Sequence, residues 1–464
     1  MRKKVIGALL CTAMVASVLG GCGSKEEAKK DNSASNAASS SSDADSGSAL
    51  KSDGKVLNVY CWNDEFQRRV KAHYPGYEEV DASTGKIGDV TVKWNSTPST
   101  DNAYQNNLDT ALQKQADAAA DDKIDIFLVE ADYALKYINT DYAASIADLG
   151  VTEDDMKNQY KYTRDIVTDS NGVQKGISWQ GCPGVMFYNR EIAKEVLGTD
   201  DPATIQEAVA DWDKFNETAQ KIVDAGYSMT SSVNDTYRVY SNNVSSRWVE
   251  DGKVSIDENI MKWVEDSKKL YDEKAIKSTA DILSDDWKTC VYPEGKVFCC
   301  FGPAWMINFC MAADEEGSVA NAGGWAATEG PQGFYWGGTW ICATSDTDNA
   351  DLIKDIMIKL TCDEAIMTDI VKDDDDFVNN KPAMEAMGQS DYSSKVLGGQ
   401  NPLPMYCAGA DKISLENVSP YDQGCTEEFQ KAMKDYFTGN ATLDEALATF
   451  KKNIVVKYPN LKAE

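Results

Sequence analysis

The chain has 464 residues, 42% of them apolar, which is enough for two lobes of ordinary domain size around genuine cores. Its 75 acidic against 46 basic residues give a net charge of −29, a balance that repels phosphate backbones and anionic headgroups and argues against nucleic acid as a partner. A single histidine, His73, leaves no basis for a histidine triad or a multi-histidine zinc site.

The N-terminus addresses the chain to the outside of the cell. Arg2, Lys3 and Lys4 precede an apolar run, Val5 to Leu19, that is too short to cross a bilayer as a mature helix. Leu19-Gly20-Gly21-Cys22 closes the run. The segment resembles a bacterial lipoprotein signal, which implies removal of residues 1–21 and attachment of palmitate-type acyl chains to Cys22. A plain secretory signal with an incidental cysteine is the alternative. Residues 22–54 are dominated by Ser, Ala, Asp and Lys and cannot bury enough surface to offset chain entropy. They are expected to form a disordered tether with a reach of about 30 Å. The expected location is the outer face of the cell membrane, held by lipid alone, in a Gram-positive cell without an outer membrane.

The body begins with a strand at Val56–Trp62 and a helix over 64–73. A second strand follows at Val90–Trp94, then a helix over 104–119 with apolar positions at Leu108, Ala111 and Leu112. Ile124–Val129 is a continuous apolar run suited to a buried parallel strand, and another helix starts near Ala131. Strand and helix alternate in the manner of βαβ units around a parallel sheet. Asn171-Gly172, between Asp165–Val167 and Val173–Ile177, signals a hairpin. Val185–Tyr188 opens a second α/β region, with helices over 190–197, 213–224 and 259–271. Strands are expected at 296–301, ending in Gly302-Pro303, and at 339–343, followed by helices over 350–360 and 363–371. Two amphipathic helices close the chain from Glu427, the second capped by Thr442 with Glu445 in the capping-box position.

Twelve cysteines lack the regular spacing of a disulfide scaffold. Cys61, Cys299, Cys300 and Cys342 fall in apolar strand-like runs and read as small buried hydrophobes. A vicinal disulfide or soft-metal site at Cys299-Cys300 is the alternative, and many free thiols in an exported chain point to an anaerobe. Asp373 to Asp376 lacks the glycine-centred, alternating-ligand pattern of a calcium loop and reads as a solvated acidic loop. No metal and no cofactor is expected.

Four segments in this order resemble the family 1 extracellular solute-binding proteins, the lipid-anchored sugar receptors of bacterial ABC importers. They are Gly176–Arg190, ending in Tyr188-Asn189-Arg190; Asp211-Trp212-Asp213-Lys214-Phe215; Glu294–Trp305, where Ala304 adds one residue before the tryptophan; and Gly337–Ser345. The resemblance implies a periplasmic-binding-protein-like α/β fold, with two lobes joined by a hinge and the ligand in the cleft between them. Lobe 1 is expected over 55–178 and 330–390, and lobe 2 over 179–329 and 391–464. It also implies a monomer that performs no chemistry, takes a sugar and hands it to permease subunits.

In open α/β sheets ligands sit beyond the carboxyl ends of the strands. Trp62, Asn63 and Glu65 follow the first strand, Glu130 follows the third, Trp179 and Gln180 follow the hairpin, Trp305 follows the Gly-Pro turn and Trp336 precedes Gly337-Gly338. Sugars offer apolar C–H faces to aromatic planes and hydroxyls to carboxylates and amides, so these eight residues are the candidate ligand contacts. Each has a structural alternative: the tryptophans as core packing, Glu130 as partner of the next helix N-terminus. Two other functions fit the same residues less well. A glycoside hydrolase would use a carboxylate pair such as Glu65 and Glu130. A receptor for a polyamine or peptide would also use aromatics and carboxylates.

Overall fold

The structure is a computed structural model that describes residues 50–463, so the signal, Cys22 and most of the tether lie outside the described residues. Eleven strands of this body make its two main sheets. The first sheet contains β1 (Val56–Cys61), β2 (Tyr77–Asp81), β3 (Thr84–Ile87), β4 (Val90–Ser96), β5 (Ile126–Glu130) and β6 (Ile177–Ser178). The second contains β7 (Pro183–Asn189), β8 (Cys299–Pro303), β9 (Trp325–Thr328) and β10 (Phe334–Tyr335), and β11 (Thr339–Ala343) returns to the first.

The order in the first sheet is β2-β3-β4-β1-β5-β11-β6. β1 runs parallel to β4 and β5, as the alternating pattern predicts, but β11 is antiparallel to β5 and β6. In the second sheet β8, β9 and β10 all pair antiparallel to β7. Alternate β7 side chains serve opposite cores. Val185 and Phe187 join the cluster that also holds Leu57, Val59, Trp179 and Leu403, whereas Met186 and Tyr188 face Phe215, Trp263 and Phe429.

Several local expectations are corrected. The β2–β3 hairpin escaped prediction because its strands are short, charged and mostly exposed, as suits a sheet edge, and show no apolar alternation. The helix expected over 104–119 ends at Gln113. The side chain of Gln115 turns inward there, accepting from the Ile124 amide at 2.9 Å and donating to its carbonyl at 2.8 Å. The helix near Ala131 covers only Ala134–Ile138. The Asn171-Gly172 turn forms, with Gly172 at φ 80°, but its hairpin is one bridge wide, Thr168 to Gln174, because 161–165 is helical. Phe334–Tyr335 pairs with β7 although the expected lobe limit at 330 assigned it to lobe 1. The Thr442–Glu445 capping box is present.

Two stretches of chain, 178–183 and 335–339, cross from one sheet to the other, a third, 376–380, crosses beside them between two helices, and the three are laced together. Asn379 N–H donates to the Trp179 carbonyl at 2.7 Å, Gly181 N–H to Phe377 at 2.9 Å, and Trp336 N–H to Cys182 at 3.2 Å. Ser178 Oγ donates to the Thr339 carbonyl at 2.7 Å.

Candidate functional site

Pairing register brings the candidate residues to one edge of each sheet. β1 and β5 are parallel, so Trp62 and Glu130 emerge at the same end, and Thr339 of β11 lies opposite Glu130. On the second sheet Pro303 pairs with Gly184 and Tyr335 with Pro183, which places Trp305 and Trp336 beside the crossovers. The two indoles meet edge to face, with centroids 5.1 Å apart and planes at 70°, and Trp305 Nε1 donates to the Trp336 carbonyl at 3.2 Å. Gly337 has φ +75°, and a Cβ there would sit 3.1 Å from Trp305 Nε1, so glycine permits the approach. Trp62 is half-buried and stands edge-on to Tyr104 at 5.5 Å and Tyr133 at 6.2 Å.

Trp336 opens on a groove of about 890 Å³ whose walls come from both sides: Asn102 from the first-sheet side, and Asn234, Tyr237, Arg238 and Glu427 from the second. Amides, a phenol, an indole, four carboxylates (Asp101, Asp281, Glu427 and Glu428) and two lysines (Lys431 and Lys434) make a lining able to hydrogen-bond hydroxyls and cover an apolar ring face. At the groove's inner wall Arg238 forms a two-pronged ion pair with Asp132: Nη1 donates to Oδ1 at 2.7 Å and Nη2 to Oδ2. The Arg238 guanidinium also lies 5.6 Å from the centre of the Trp336 ring. Burial works against its charge, but Asp132 outweighs burial and holds the guanidinium protonated. Glu130 accepts from the Asp132 amide through Oε2 at 2.8 Å, while Oε1 is buried without a protein partner. Burial, reinforced by the Asp132 charge, raises the Glu130 carboxyl to about 8.

The other candidates build the hinge instead. Trp179, expected among the ligand contacts, is fully buried and stacks on Phe66 at 5.6 Å with planes 13° apart, so it has no face open to a ligand. Gln180 is buried and ties all three crossovers through one amide. It donates to Glu65 Oε1 at 2.9 Å and to Asp376 Oδ2 at 3.1 Å, and accepts from the Thr339 amide at 3.1 Å. Burial raises Glu65 to about 7, with Arg69 opposing and Asp376 adding to the rise. Arg69 pairs with Asp374 and, at 3.2 Å, with Asp376, so part of the run read as a solvated acidic loop is a buried charge partner. Asn63 Oδ1 accepts from the Glu65 amide at 3.1 Å at the start of the helix 65–73. The Glu65–Glu130 pair of a hydrolase therefore finds one carboxyl committed to the hinge. Sequence reasoning missed Arg238, Asn102 and Tyr237, which lie on or beside short helices with no strand-end signal. Among the described residues no group of three or more His, Cys, Asp or Glu is placed to hold a metal, and no helix is long and apolar enough to cross a membrane.

A family model described as bacterial extracellular solute-binding protein matches residues 79–395. No curated protein matches the chain significantly. Among solved structures, an extracellular solute-binding protein of family 1 aligns with TM-score 0.68 at 16% identity, over 86% of this chain and 99% of its own. The ABC-transporter-associated binding protein of B. animalis subsp. lactis Bl-04, in complex with beta-1,6-galactobiose, aligns with TM-score 0.66 at 19% identity, over 89% and 100%. The galacto-N-biose-/lacto-N-biose I-binding protein of Bifidobacterium longum, in complex with lacto-N-biose, aligns with TM-score 0.65 at 14% identity, over 89% and 100%. At these identities the likeness establishes the fold, two α/β lobes joined by a hinge.

Proposed function

We propose that this chain, which belongs to the bacterial extracellular solute-binding proteins, captures a carbohydrate in its interlobe cleft and delivers it to the permease of an ABC transporter. The observation that carries this reading is the Trp305–Trp336 pair at the crossovers, with Trp336 lining the groove among amide, phenol and carboxylate groups. An uncharged ligand needs no basic pocket, so the acidic surface is no obstacle. The relatives solved with galactobiose and lacto-N-biose share the fold and lend weight to a short oligosaccharide. Closure around the ligand would convert its differential affinity into a population shift toward a closed form. The protein works as a monomer on the outer face of the cell membrane of a Gram-positive cell, held through acylated Cys22 and the 22–54 tether. Lobe 1 comprises 55–178 and the chain from about 336 to 390, and lobe 2 comprises 179 to about 335 and 391–464.

The test is a titration of the intact chain, followed by tryptophan fluorescence, against mono- and oligosaccharides, with the sugars recovered and sized afterwards. Saturable binding of one sugar class, returned unchanged, supports the reading. A response only to polyamines or peptides would replace it, and shortened sugars would revive the hydrolase.

A further inference from the structure

A receptor for a cationic solute needs carboxylates to pair the ammonium groups and an aromatic face to cover them. Where Trp336 stands this cleft has both, Asp132 with Glu130 beside it and the indole face, but there neither is free for a cation; the other carboxylates of the groove, Asp101, Asp281, Glu427 and Glu428, belong to the rest of its lining. The Arg238 guanidinium takes both carboxylate oxygens of Asp132 and lies over the Trp336 ring. It also lines both the 890 Å³ groove and a smaller cavity of about 180 Å³ that it shares with Asp132, Asn242, Tyr335 and Asp422. Asp132 and Arg238 are each only about a fifth exposed, so the pair sits in the wall between the two spaces and not on the surface.

We propose that Arg238 sets the charge selectivity of the Trp336 end of the cleft: it is a built-in cation that fills the place an amine would take between Asp132 and the indole, so that end admits neutral groups and rejects the ammonium groups of polyamines and amino sugars. The proposal rests on the binding-protein reading above and narrows its ligand class. The charges agree with it. Asp132 and Arg238 cancel, and burial raises the Glu130 carboxyl, which favours its neutral form. The rest of the groove carries Asp101, Asp281, Glu427 and Glu428 against Lys431 and Lys434, so the exclusion belongs to the Trp336 end, where Arg238 stands. An incoming ammonium would have to displace a two-pronged guanidinium that is already paired, or lie beside it at the cost of like-charge repulsion. An incoming carboxylate would meet the same obstacle at Asp132.

The experiment measures the binding of spermidine, galacturonate and neutral disaccharides by the intact chain and three variants. Arg238→Gln removes the built-in cation, leaves Asp132 and the Trp336 face open, and is expected to raise spermidine affinity at least tenfold. Arg238→Lys keeps the charge and is expected to gain nothing. Asp132→Asn frees the guanidinium and is expected to raise galacturonate affinity at least tenfold. Tight spermidine binding by the unaltered chain would overturn the proposal, as would folded Arg238→Gln, checked by circular dichroism, with no gain for spermidine. Should Arg238→Gln fail to fold, Asp132→Asn decides, and absence of a galacturonate gain overturns the proposal. If the unaltered chain binds no neutral saccharide while the variants gain charged ligands as stated, the sugar reading fails and the role of Arg238 stands.

Discussion

Replacing Gln180 by alanine removes the side chain that joins the three crossovers. Two lost hydrogen bonds run to carboxyl oxygens of buried residues, Glu65 and Asp376, and one comes from the Thr339 amide. Bonds to charged groups contribute about 1.5–3 kcal/mol each and a neutral one about 1 kcal/mol. Because all three share one side chain they do not simply add, so the expected loss is about 3–5 kcal/mol. Gln180 also donates to the charged form of Glu65, lowering its pKa against the burial that raises it. The loss should therefore be larger at pH 8, where Glu65 is ionised, than at pH 5, where it is protonated. Urea unfolding followed by tryptophan fluorescence and by far-UV circular dichroism, with coincident transitions, measures the change. A loss below about 1 kcal/mol, or one independent of pH, would refute the view that this amide locks the hinge.

Trp305→Ala should weaken sugar binding by about 1–3 kcal/mol, the scale of a lost aromatic platform, with the fold intact by circular dichroism; unchanged affinity removes Trp305 from the site. Burial raises Glu65 and Asp235 to about 7 each, so the folded chain binds more protons than the unfolded one between about pH 4 and 7. Stability should fall as pH rises through that window, and Glu65→Gln should remove about 3 kcal/mol of the fall, read as midpoint urea concentrations from pH 5 to 8. Of the ten free cysteines in the described body, eight are buried and only Cys362 and Cys407 are partly accessible. Peptide mapping after brief alkylation of the native protein should find label on those two first; early label on Cys299 or Cys300 would contradict the packing. Gly338 has φ +100°, and a Cβ there would lie 3.0 Å from the Trp340 ring, so Gly338→Ala should lower stability by about 1–3 kcal/mol in the same urea assay.

What the residues alone determined is local or periodic. The apolar runs 56–62, 124–129 and 339–343 are central strands because only strands in a covered sheet bury such runs on both faces. Thr442 with Glu445 declares a helix start through hydrogen bonds spanning three residues. Trp305 and Trp336 were legible as site candidates because each borders a glycine turn at a strand end. Trp62, Trp179 and Trp336 carry the same local signal, yet they differ in exposure, and that difference is set by what packs on them from far along the chain. Phe66 covers Trp179, whereas Trp336 is left facing the groove. Glu65 and Gln180 looked like ligand contacts for the same reason, and only the meeting of three crossovers, 178–183, 335–339 and 376–380, turned them into a hinge lock. The partner of Asp132 lies 106 residues away on a short helix. No periodicity or spacing encodes such a pairing, because the two residues meet only where one lobe faces the other, and that placement belongs to the tertiary structure.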